Sequence, residues 1–256
     1  MPNRYESKTG LTLRNPLKHL GIEVAMGYIV PHIEVEGVEN LRKAYMLYTQ
    51  AEDVVIASNH RSHIDFPVLY DAIKRSGYKD MADDTVPLMG KRVATTLPWL
   101  ADAHTHVKVW PPTEPPTEQT KAEYLQWQRR TVRGVQEARA QHKVLEVFPE
   151  GGRAKQQGML RAYGNVARYL VKDPDHTYVL PTGLTQTDDR LPYKTMRPRR
   201  GNVGVHFGVP IWVRELMEGT EYLSKEERNQ QVIDKVMFAV ADLLPEEYRG
   251  YYGKRN

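Results

Sequence analysis

The chain has 256 residues, 40% of them hydrophobic, which is enough for one sizeable core and does not read as disorder. It contains no cysteine, so disulfides, thiolate metal sites and a cysteine nucleophile are excluded. A formal net charge of +4 suits acidic partners, and without a nucleic-acid module it does not point to nucleic acid.

In chain order, the first apolar stretch is LKHLGIEVAMGYIVPHI, residues 17–33. It carries Lys18, His19 and Glu23, falls short of the about 20 apolar residues that span a bilayer, and lacks the order of a signal peptide. Leu17, Leu20, Val24 and Tyr28 recur at helical spacing. The expectation is an amphipathic helix over residues 1–32 with that stripe packed on the domain; the other use of such a stripe is to lie on a membrane surface.

VVIA (54–57) is a β-branched run, and SNHRSHIDFP (58–67) follows it. Ser62 and Asp65 have the S-x-x-D form of a capping box, and FPVLYDAIK (66–74) reads as a helix. The same order of strand, turn and helix recurs at VLEVF (144–148), PEGGR (149–153) and a helix expected within 160–171. WPPTEPP (110–116) reads as a surface loop because its prolines remove donors. Residues 118–142 read as a long helix with Leu125, Val132, Val135 and Ala138 inward. Residues 179–181 and 203–207 are strand candidates. Ser224 and Glu227 form a capping box ahead of the stripe Val232, Val236, Val240 and Leu243. The pattern predicts an α/β fold: a single domain with a central, mostly parallel sheet flanked by helices. The expected divisions are 1–32, 33–215 and 216–256, the last packing on the same domain.

The ionisable residues gather at the two turns. On a continuous helix His60 and Asp65 would lie about 140° apart. Across a turn that enters a helix the chain can fold them together, so that Asp65 fixes one imidazole nitrogen and the other takes a proton. Asp65 equally suits a cap. In the second turn the glycine pair Gly151 and Gly152 allows close approach to a ligand, and Arg153 offers a fork for phosphate oxygens. Glu150 suits three uses: holding that arginine, binding a substrate hydroxyl, or acting as an acid. Both turns follow strands, where sites of open α/β sheets lie.

NHRSHID resembles the N-H-x4-D motif of the glycerolipid acyltransferase superfamily, and FPEGGR resembles its F-P-E-G-T-R motif, in the right order. VPLMGKR (86–92), YVLPT (178–182) and VHFGVPI (205–211) are similar to its flanking pieces, so the resemblance runs from about Ile33 to Val213. HRSH-x-D with EGGR resembles the glycerol-3-phosphate acyltransferase form, whereas N-H with F-P-E resembles the lysophosphatidic acid form. Both acceptor classes stay open.

One departure stands out. In THVKVWPP (105–112) Trp110 sits near where the family places an arginine that contacts the acceptor phosphate, with Lys108 a poor substitute. The resemblance implies a glycerol-3-phosphate acyltransferase-like fold and acyl transfer from acyl-CoA or acyl-ACP to a glycerol phosphate or lysophospholipid. It implies no metal and no other cofactor. His60 would be the base and Asp65 its partner; Asn59, Arg61, Lys91, Glu150, Gly151, Gly152 and Arg153 would line the substrate site, with Asn59 and backbone donors facing the oxyanion. His63 reads as a helix-start residue. The expected location is cytoplasmic, peripheral on the inner face of a membrane. The basic residues Arg190, Lys194, Arg197, Arg199 and Arg200 suit a solvated loop, anionic headgroups, coenzyme A phosphates or an acidic carrier protein. The competing readings are a metal-dependent hydrolase on His60, His63, Asp65, His104 and His106, and a non-catalytic lipid-binding relative. No G-x-S-x-G elbow is present to support a serine hydrolase.

Overall fold

A computed structural model describes residues 10–91, 93, 97–154 and 158–254. Arg92, at the end of the VPLMGKR piece, lies outside the described residues.

One nine-stranded sheet organises the chain. Its strands are β1 (Leu11–Thr12), β2 (Ile33–Glu36), β3 (Asp53–Ser58), β4 (Thr85–Gly90), β5 (His106–Val109), β6 (Val144–Val147), β7 (Thr177–Thr185), β8 (Val203–Phe207) and β9 (Ile211–Trp212). The order is β1-β5-β4-β6-β3-β7-β8-β2, with β9 beside β7. The central run β5-β4-β6-β3-β7 is parallel. β1 on β5, and β8 and β9 on β7, pair antiparallel, so the mostly parallel sheet is mixed at its margins. The segment before residue 33 supplies β1 to this sheet as well as a helix.

Helices cover both faces, as a parallel sheet requires. On one face lie α1 (Pro16–Ile29), α2 (Val38–Thr49) and α3 (Asp65–Arg75), which pack Ile22, Met26, Leu41, Leu69 and Ile73 over Val54, Ile56 and Leu180. On the other face the helices Lys121–Ala140 and Lys225–Asp242 pack Val135, Ala138, Val232, Val236 and Val240 over Val55, Ala57 and Val147. The alternation of Val54 and Ile56 against Val55 and Ala57 is the two-residue period of a strand buried on both sides.

Three expectations change. In α1 the stripe Leu17, Leu20, Val24 and Tyr28 is 81%, 58%, 68% and 72% exposed, and the packed side is Ile22 and Met26. Asn15 caps the helix, its side chain accepting from the Leu17 and Lys18 N–H groups, and the packing of Ile22 and Met26 leaves the stripe outward. In Lys121–Ala140 the inward residues are Thr131, Gly134, Val135 and Ala138; Leu125 and Val132 face solvent, because both lie about 100° or more round the helix from Thr131. Residues 160–171 hold a short 3-10 segment, Gly164–Tyr169, instead of an α-helix. Among the described residues no helix is long and apolar enough to cross a membrane.

The last long helix follows its sequence pattern: Ser224 accepts from the Glu227 N–H and Glu227 accepts from the Ser224 N–H. Replacing Ser224 by Ala removes that cap and is expected to lower stability by about 1 kcal/mol. Urea unfolding should show a lower midpoint with an unchanged slope.

Candidate active site

β3 and β6 are parallel neighbours, with Ala57 opposite Val147. Their C-terminal ends therefore deliver the two turns side by side. Two hydrogen bonds stitch them together: the His60 N–H donates to Glu150 Oε1 at 2.8 Å, and the Ala154 N–H donates to the His60 carbonyl at 3.0 Å.

Within the first turn everything converges on Asp65, whose side chain is fully buried. Its Oδ2 accepts from His60 Nδ1 at 2.8 Å, from the Arg61 N–H at 2.6 Å and from the Ser62 N–H at 2.8 Å. Its Oδ1 accepts from Thr187 Oγ1 at 2.5 Å. A carboxylate only accepts, so the His60 proton sits on Nδ1 and Nε2 carries the lone pair. The His60 ring lies 4.1 Å from the Phe148 ring at 20°, a stack that holds its plane. The expected capping box does not form. The N-cap of α3 is Ile64 without a side-chain bond, and Ser62 Oγ donates instead to the Leu191 carbonyl. Asp65 spends its carboxylate on the turn, not on the helix end.

The other predicted residues divide into two groups. Asn59 is fully buried, its amide donating to the Leu184 carbonyl and its oxygen accepting from the Leu184 N–H. It ties the turn to β7, which corrects its place as an oxyanion contact. Arg61 is also buried, bonded to Asp188 at 2.6 Å and lying over the Tyr248 ring at 5.0 Å, so it anchors the turn from behind.

Glu150, Gly151, Gly152, Arg153 and Lys91 are gathered on the second turn and the loop facing it. Gly151 has φ +65°, and a Cβ there would overlap the Pro112 ring, which shows how closely the Trp110–Pro112 stretch seats on this turn. Gly152 has room for a Cβ, with Thr113 nearest at 3.7 Å. Arg153 stacks over the Tyr193 ring at 4.4 Å, and its buried Nη1 has no hydrogen-bond partner among the described residues. A buried guanidinium nitrogen in that state keeps a donor that an anion would accept from. Trp110 is buried, donates from Nε1 to the Glu114 carbonyl, and carries the Lys91 ammonium 3.2 Å over its ring. The cation carried by Trp110 is thus Lys91; Lys108 lies on β5.

Burial pushes the Glu150 carboxyl up to about 7, against the two backbone N–H groups of Leu160 and His60 that favour its charged form. Burial, then Arg153, then His60 hold His63 down to about 4, so it is uncharged at neutral pH. Glu146, fully buried on β6, is raised well above the carboxylate range by burial and then by Asp65. The histidines named for a metal-dependent hydrolase are dispersed among the described residues. His104 packs its ring against His19, Tyr70 and Phe66, and no three His, Asp or Glu side chains among the described residues form a ligand set.

Thr187, Phe148 and Tyr193 were not singled out as site residues from the sequence. Phe148 was legible as the residue before the second turn. Thr187 is 122 positions from Asp65 and carries no local signal.

Glu150 generates a pH prediction. Between about 4.5 and 7 the folded state holds a proton that the unfolded chain has released, so this group's stabilising contribution falls as pH rises through that window. Urea unfolding at several pH values should show that fall in the parent and its absence in Glu150→Gln. Equal slopes in both proteins would contradict it.

Three comparisons bear on this site. A family model described as Acyltransferase matches residues 32–185. A search of curated proteins returned no match. Among solved structures, the 1-acyl-sn-glycerophosphate (LPA) acyltransferase PlsC from Thermotoga maritima is similar, with a TM-score of 0.55 at 18% identity, covering 89% of this chain and 78% of that one.

Proposed function

The chain belongs to the Acyltransferase family, the glycerolipid acyltransferase superfamily that its two turns resemble, and on that premise we propose the reaction and the roles that follow. The protein moves a fatty acyl group from a thioester, acyl-coenzyme A or an acyl carrier protein, to a hydroxyl of a glycerol phosphate or lysophospholipid acceptor. The observation that carries this is the Asp65–His60 pair, stitched to a turn holding an arginine with an unpaired buried nitrogen.

His60 Nε2 takes the proton of the acceptor hydroxyl as its oxygen attacks the thioester carbonyl. The C–S bond then breaks, and the thiolate leaves with the proton from the imidazolium. Asp65 stabilises that imidazolium and keeps the tautomer. Arg153 and Lys91 receive the acceptor phosphate, the first as a planar fork and the second as a point charge. Asn59 is committed to Leu184, so the oxyanion falls to backbone N–H groups of the second turn. No step calls on a metal or other cofactor.

The surface supports a membrane as the place where the acceptor is met. The exposed stripe of α1 ends at Tyr28, beneath the Arg200 guanidinium at 5.8 Å, and the exposed Arg197 and Arg199 adjoin it. The same basic segment reaches Tyr193, on which Arg153 stacks. An apolar strip edged by cations suits an anionic bilayer surface, with the site beside it.

His60→Ala is expected to abolish acyl transfer from palmitoyl-coenzyme A to 1-acyl-sn-glycerophosphate while leaving the circular dichroism and thermal midpoint of the parent. Retained transfer by that variant would remove His60 as the base. For the surface, Leu20→Asp with Val24→Asp should weaken binding to phosphatidylglycerol-containing vesicles at least about tenfold, since each buried apolar side chain contributes about 1.5–3 kcal/mol. Binding unchanged by the substitutions and by salt would argue against this face.

A further inference from the structure

The Asp65 carboxylate has two oxygens with different tasks. Oδ2 takes three donors from its own turn, including His60. Oδ1 takes the hydroxyl of Thr187 at 2.5 Å, its one side-chain donor from outside the turn among the described residues. Both residues are fully buried, so water does not replace that donor.

Thr187 is held in turn. It opens the short helix Thr187–Arg190 directly after β7, behind Gln186, whose φ of 63° turns the chain back over the site. The Gln186 N–H donates to the Tyr248 hydroxyl at 3.2 Å. The next residue, Asp188, receives Arg61, and the Leu191 carbonyl receives Ser62. Residues 186–191 thus bond the His60 turn at Arg61, Ser62 and Asp65. The segment lies just past residue 185, where the family match ends.

We propose that Thr187 is a positioning residue for acyl transfer: its hydroxyl fixes the plane of the Asp65 carboxylate, so that Oδ2 stays on His60 Nδ1 and Nε2 stays free to accept a proton. Without that donor, Oδ1 is buried and unpaired, and rotation of the carboxylate toward another partner moves Oδ2 off the imidazole. The inference rests on His60 being the base. It adds a third group, from the end of the neighbouring parallel strand β7, to the His60–Asp65 pair that the first turn supplies.

The test compares Thr187→Val, which keeps the shape and removes the hydroxyl, with Thr187→Ser, which keeps the hydroxyl. The first readout is the imidazole 15N spectrum of His60, assigned with His60→Ala, which reports the nitrogen that carries the proton and needs no substrate. The parent and Thr187→Ser should show the Nδ1–H tautomer, and Thr187→Val a mixture with Nε2–H. The second readout is transfer from palmitoyl-coenzyme A to 1-acyl-sn-glycerophosphate. There Thr187→Val should lose about 10- to 100-fold in kcat with KM nearly unchanged, the scale of a misaligned catalytic group, and Thr187→Ser should recover most of it. Thr187→Ala gives the same comparison with less bulk where the valine disturbs folding. A pure Nδ1–H tautomer with parental kcat in Thr187→Val overturns the proposal. So does a loss that merely follows the folded fraction and is not rescued by serine. Transfer retained in His60→Ala would instead overturn the base assignment, and the 15N spectrum would still report on Thr187.

Discussion

The buried carboxylate of Asp65 is the constraint on which the site depends. A charge with no exposure has to be surrounded by donors, and four converge on it: the Arg61 and Ser62 N–H groups, the His60 imidazole and the Thr187 hydroxyl. Satisfying that one group dictates the path of the chain from His60 to Asp65. It also fixes the tautomer of His60 and draws the segment after β7 over the turn. Removing Asp65 would leave the Arg61 and Ser62 N–H groups and the Thr187 hydroxyl buried without this acceptor and His60 Nδ1 without its partner, so its contribution to folding is inseparable from the chemical role proposed for it.

The sheet turns this local arrangement into a site. Because β3 and β6 are adjacent and parallel, the turn that carries His60 and the turn that carries Arg153 emerge together. The hydrogen bonds between His60, Glu150 and Ala154 then lock their separation. Residues that looked from their order like substrate contacts divide accordingly. Asn59 and Arg61 face the interior and hold the turn, while Lys91 and Arg153 present cations at its mouth. The division follows from the partners each side chain finds, Leu184 and Asp188 behind the first turn for Asn59 and Arg61, and the Trp110 and Tyr193 rings for Lys91 and Arg153.

Much of this was legible in the sequence where the cause is local. The β-branched runs gave β3 and β6, the capping box at Ser224 gave the last long helix, and the two turn motifs gave the family. The failures have physical reasons. The periodicity of Leu17, Leu20, Val24 and Tyr28 identifies a helix face but not whether protein or another surface covers it. Leu125 and Val132 are spaced like a stripe with Val135, yet both lie about 100° or more round the helix from buried Thr131, on a flank that the sheet does not cover. Ser62 and Asp65 have the spacing of a cap, yet the carboxylate gains more from three donors within its own turn. Thr187 was out of reach because its contact with Asp65 exists only once β7 pairs with β3.

The central claim is that His60 Nε2 is the atom that receives the acceptor's proton. A crystal structure with a 1-acyl-sn-glycerophosphate acceptor bound tests it most directly. The account predicts the free hydroxyl oxygen within about 2.6–3.2 Å of His60 Nε2, with the phosphate against Arg153 or Lys91. An acceptor bound productively with its hydroxyl out of reach of His60, beside another titratable group, would contradict it.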